Sequence, residues 1–201
     1  MSNRPPPPAL LPEPVEVTLL VADILESVNI IYAIAGSMVG TIYGRIRTTL
    51  DVDIVADLHP DQGEQFIQRL AGLFYFDVQA VNNAVLTRIH FNLIHLETTF
   101  KVDIFVPKTR AFDQQIFSRR VKSNITSTSD RQAYFVTAED LILAKLEWYQ
   151  QSGDTSERQW QDVLAIIHTQ DRTLDQDYLR RWAKNLNILK LLEKALTEAL
   201  E

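Results

Sequence analysis

Between Val15 and Val28 the apolar residues Val17, Leu20, Val21, Ile24 and Val28 recur at helical spacing, with Glu26 on the opposite side, which predicts an amphipathic helix. Ile30 to Ala35 is an unbroken β-rich run that ends in Gly36-Ser37, and Met38 to Gly44 reads as a short helix begun by that turn. The pattern then switches to period two. In Asp51-Val-Asp-Ile-Val, Asp51 and Asp53 share one strand face while Val52 and Ile54 share the other. A helix from about Asp61 to Ala71 stops at Gly72, and residues 74–98 read as strand, short polar segment and strand, the second carried by the alternation of Arg88 to His95. Lys101 to Val106 is a further strand, with Asp103 on the face opposite Val102 and Ile104, and Pro107 ends it. A helix near 110–120 and a short strand near Tyr134 follow. From there the pattern is helical: Thr137-Ala-Glu-Asp and Ser156-Glu-Arg-Gln read as capping-box starts, and two more helices span about 175–186 and 188–200.

Strands interleaved with helices, then helices alone, predict an α/β (α+β) fold with a mixed sheet and a C-terminal helical segment. Prolines at 5, 6, 7, 8, 12 and 14 mark residues 1–14 as an extended polyproline-type tail. The expected division is therefore a tail to residue 14, an α/β domain over 15–136 and a helical segment over 137–201. The 201 residues, 46% hydrophobic and 23% charged, suffice for a substantial core. No apolar run approaches the roughly 18 residues of a membrane span, and the N-terminus lacks the apolar centre of a secretory signal, so a cytoplasmic location without a membrane partner is expected. With no cysteine, disulfides, thiolate metal sites and cysteine nucleophiles are excluded, so any metal sits on oxygen or histidine.

The chemistry gathers at Gly36-Ser37, Asp51, Asp53 and Asp103. Acidic side chains are disfavoured inside strands, and three brought together repel one another unless a cation neutralises them. Magnesium suits such a site, since it takes carboxylate oxygens and keeps positions open for substrate phosphates. A glycine lets backbone approach phosphate closely, and the helix N-terminus after it offers unpaired N–H groups. By contrast, Asp175-Gln-Asp177 has the same Asp-x-Asp spacing in a polar stretch where helix capping explains it.

Gly36-Ser37, six residues, Gly44, two residues, Arg47, three residues, Asp51-Val-Asp53-Ile, and later Lys101-Val-Asp103-Ile, resembles the nucleotidyltransferase superfamily of DNA-polymerase-β-like fold. The resemblance implies that the three aspartates are catalytic and bind divalent ions, two magnesium ions in all. It also implies that Gly36-Ser37 holds the phosphates of a nucleoside triphosphate and that Arg47 stands near the nucleotide. Glu139-Asp-Leu-Ile-Leu-Ala-Lys145-Leu and Arg158-Gln-Trp-Gln-Asp162 resemble the C-terminal helices of the small bacterial AbiEii-like branch. Lys145 lies on the apolar face of Leu141, Ala144 and Trp148, where a lysine must snorkel or find an anion, and it is a candidate nucleotide ligand. Arg158 and Asp162, four apart, read as a surface ion pair.

The expected function is transfer of a nucleoside monophosphate from a triphosphate to an acceptor, an RNA end, a protein or a small molecule. The alternative is a non-catalytic nucleotide-binding or toxin–antitoxin-type partner that keeps the fold. Residues 107–131 hold Lys108, Arg110, Arg119, Arg120, Lys122 and Arg131 against two aspartates, in a chain whose net charge is −6. This stretch follows the Asp103 strand and is the one clue to an RNA acceptor. Other chemistries are not supported: His59, His90, His95 and His168 are scattered, and there is no P-loop and no nucleophile elbow.

Overall fold

The computed structural model describes residues 13–43, 51–126 and 129–199. The first helix, α1 (Glu13–Ser27), begins inside the proline-rich stretch, with Pro14 in its first turn, where a missing N–H leaves no hydrogen bond unmade. Strand β1 (Tyr32–Ala35) leads directly into α2 (Gly36–Tyr43), so the Gly-Ser pair forms the first turn of the helix itself. The strand β2 (Asp51–Ala56) alternates half-buried and buried positions, as its period-two pattern predicts. Next come α3 (Pro60–Leu70) and the two-residue β3 (Phe74–Tyr75).

The polar segment expected after β3 is instead a helix, α4 (Val78–Thr87). Asp77 caps it by accepting hydrogen bonds from the backbone N–H groups of Gln79 and Ala80, and Val81, Ala84 and Val85 form its buried face. The strands β4 (His90–His95) and β5 (Lys101–Phe105) follow, then α5 (Ala111–Arg119). An exposed strand, β6 (Val121–Asn124), pairs antiparallel with β7 (Gln132–Phe135). The helices α6 (Ala138–Gln151), α7 (Glu157–Gln170), α8 (Gln176–Asn185) and α9 (Leu189–Glu198) complete the chain. Thr137 caps α6 and Asp175 caps α8, whereas the Ser156 side chain makes no capping hydrogen bond to α7.

The sheet has seven strands in the order β3-β4-β5-β2-β1-β7-β6. It is mixed: β2 pairs parallel with β5 and antiparallel with β1. One face is apolar, with Val52, Ile54, Val102, Ile104, Phe91 and Leu93 all buried. Helix α3 reaches it through Phe66, whose ring meets Phe91 edge-on. The other face carries the polar side chains of β2, β5 and β4. A buried network ties the C-terminal helices to α5. The Tyr178 hydroxyl donates to Asp140 Oδ1 at 2.5 Å, Thr137 donates to Asp140 Oδ2, and Arg119 lies over the Tyr178 ring while bonding Glu139. Among the described residues no helix is long and apolar enough to cross a membrane.

Candidate active site

Register assembles the site. In the parallel pair of β2 and β5, Asp53 lies opposite Asp103 and Asp51 opposite Lys101, so three carboxylates and one ammonium share a sheet face. On the next strand Asn92 stands opposite Asp103, and on the other side Ala35 stands opposite Asp53. Because Ala35 precedes α2, the start of that helix is brought against the aspartates.

Gly36 shows how close that approach is. Its φ is +66°, a left-handed conformation that glycine adopts without strain, and a Cβ added there would overlap the Asp53 carboxylate. Ser37 is the next residue of the helix, so the Gly-Ser pair begins beside Asp53. Gly44 and Arg47 lie outside the described residues.

The electrostatics are those of crowded acids. Burial raises the Asp53 pKa from 3.8 to about 6, with further contributions from Asp51 and Asp103 and opposition from Lys145 and Lys101. Asp103 is buried. Its Oδ2 accepts from Lys101 Nζ at 2.8 Å, and its Oδ1 is buried without a hydrogen-bond partner. Among the described residues no three carboxylate or imidazole groups are already gathered closely enough to ligate one ion. The donor set nevertheless fits a hard cation: hard oxygen ligands, mutual repulsion, and one buried carboxylate oxygen lacking a partner.

Lys145, on α6, is 8% exposed and does not snorkel. Its ammonium donates to Asp162 Oδ2 and Gln159 Oε1 on α7, both at 3.1 Å. Two of its three N–H donors are thus used, and its charge is felt at Asp53. Asp162 is therefore paired across helices, and Arg158 is exposed on the far side. Helix α7 also packs against α2, so it bridges the Lys145 helix and the Gly-Ser helix.

Sequence reasoning missed Lys101, Gln159 and Asp162 as members of this neighbourhood. Lys101 had a signal: it lies two residues before Asp103 and so on the same strand face. Within the basic stretch most of the described arginines are paired inside the chain, while Lys108 and Lys122 are exposed. Arg110 is bonded to Asp113 and Glu147, Arg119 to Glu139, and Arg131 to Asp23, while Arg120 and Lys122 lie over the Tyr134 ring.

No protein-family model and no curated protein sequence matches the chain. Solved structures do. An antigenic nucleotidyltransferase-like protein from Paracoccidioides brasiliensis superposes with a TM-score of 0.55 at 20% identity, over 94% of each chain. The antibiotic-resistance factor ANT(2'')-Ia superposes with a TM-score of 0.53 at 10% identity, over 92% of this chain and 94% of that one. With its seven-stranded mixed sheet and flanking helices, the chain has the nucleotidyltransferase fold.

Proposed function

We propose that this protein is a magnesium-dependent nucleotidyltransferase that moves a nucleoside monophosphate from a triphosphate to an acceptor, an RNA end, a protein or a small molecule, with release of pyrophosphate. The observation that carries the reading is the meeting of Asp53, Asp103 and the Gly36 turn at one place, through strand register and a backbone conformation that leaves no room for a Cβ. Asp51, Asp53 and Asp103 would hold the cation, which when bound neutralises phosphate charge at the reacting centre. The backbone N–H groups of the first turn of α2, at Gly36 and Ser37, face the donor phosphates with the favourable end of the helix dipole. Lys145 keeps one N–H donor for an anion, and its charge near Asp53 suits a triphosphate oxygen. Arg47 is assigned to the nucleotide on the motif alone. The Lys145 and Asp162 helices support placement near the AbiEii-like branch. Phosphoryl chemistry of this kind rests mainly on positioning and charge, so no dedicated base is invoked.

The test is incubation with each α-labelled triphosphate and magnesium, with cellular RNA and protein as separate acceptor fractions. The reading predicts chelator-sensitive label in one fraction. Absence of label from every fraction, with no triphosphate binding, would leave the fold serving as a non-catalytic partner protein.

A further inference from the structure

Lys101 shares a sheet face with Asp51, Asp53 and Asp103. Its Nζ is 2.8 Å from Asp103 Oδ2, and its backbone is in register with Asp51. The other oxygen of the same carboxylate, Asp103 Oδ1, is buried and accepts nothing from the described residues. Among the described residues Asp103 is therefore paired through one oxygen and not the other. The Lys101 side chain is 41% exposed, so its stem has room to turn outward.

We propose that Lys101 is the resident counter-ion of the aspartate cluster: its ammonium holds the site in the cation-free protein, and a divalent cation enters by displacing it from Asp103. The inference rests on the reading of Asp51, Asp53 and Asp103 as a cation site. A purely architectural role fits poorly, because an ion pair with one partner this exposed adds little to stability. Three carboxylates on one face repel one another, on the other hand, and Lys101 puts a positive charge in hydrogen-bond contact with one of them, Asp103. Asp103 is turned to its lysine until a stronger charge arrives. The consequence is a site whose apparent affinity for metal is lowered by competition from its own side chain.

The experiment measures Mn2+ binding, by the electron paramagnetic resonance signal of the free ion, to the full-length wild type and to Lys101→Met, Lys101→Arg and Asp103→Asn. Lys101→Met should bind Mn2+ roughly two- to fivefold more tightly than wild type, the size expected when a partly exposed competing ion pair is removed. Lys101→Arg, which keeps the charge, should stay near wild type, and Asp103→Asn should bind weakly. Equal or weaker binding by Lys101→Met, with normal binding by wild type, overturns the counter-ion role and leaves the cation site standing. No Mn2+ binding by wild type or Lys101→Met overturns both. Should Lys101→Met fail to fold, nuclear magnetic resonance of the lysine ammonium groups in wild type decides the matter. Magnesium should release the Lys101 signal from its hydrogen bond, and a signal unmoved at saturating magnesium would refute the exchange.

Discussion

Asp53→Asn should stabilise the cation-free protein, and by an amount that depends on pH. The folded protein raises the Asp53 pKa from 3.8 to about 6, chiefly by burial and then by Asp51 and Asp103. The native state therefore holds a proton that the unfolded chain releases between those two values. Stability is lost as pH rises through this window, and the penalty is complete above the folded pKa. At about 1.36 kcal/mol per unit, a shift of roughly two units makes the ionised Asp53 a burden of about 3 kcal/mol at pH 8, falling below about 1 kcal/mol at pH 4. Asparagine has the same shape and no charge, so urea denaturation in chelator should show the variant more stable by up to about 3 kcal/mol at pH 8. The advantage should shrink towards pH 4. Magnesium should reverse the order, because a ligand that binds only the native wild type raises its stability alone. A variant less stable than wild type at pH 8, or an advantage of equal size at both pH values, would refute the reasoning.

Gly36→Ala should cost about 1–3 kcal/mol from its left-handed backbone, and more from the overlap with Asp53, lowering the melting temperature and abolishing triphosphate binding together. Tyr178→Phe should destabilise by about 1–3 kcal/mol in chemical denaturation, since Asp140, raised in pKa chiefly by burial, loses the hydroxyl bonded to Oδ1. Arg119→Glu should destabilise severely by breaking the tie among α5, α6 and α8, whereas Lys122→Glu should leave the melting temperature within a degree or two. RNA labelling that survives Lys108→Glu with Lys122→Glu at low and moderate salt would direct the search to a protein or small-molecule acceptor. Lys145→Gln should weaken triphosphate binding about tenfold or more while Mn2+ affinity changes little, which titration of each ligand would check.

How much of this was legible in the sequence depended on how local the cause was. The alternation in Asp51–Val55 and the Gly-Ser turn are properties of a few adjacent residues, and both were readable because a strand has period two and a positive φ favours glycine. The helix α4 escaped notice because Asn82 and Asn83 look like a loop, and its buried residues Val81, Ala84 and Val85 cover less than one turn and a half. Strand β6 is exposed at every position, so it had no periodicity to detect. Asp162 was assigned to Arg158 by spacing along one helix, but the packing of α6 on α7 gave it Lys145 instead. The arginines of the basic stretch looked free for the same reason. Their carboxylate partners Glu139, Glu147 and Asp23 are remote in sequence, and only the fold brings them together.

The most direct test of the cation and nucleotide site is a crystal structure with manganese and a non-hydrolysable triphosphate. Anomalous scattering should place manganese about 2.1 Å from carboxylate oxygens of Asp53 and Asp103. The donor phosphates should lie over the first turn of α2, and the Lys101 ammonium should be withdrawn from Asp103. A nucleotide bound elsewhere, or no manganese peak with Lys101 still on Asp103, would contradict the account.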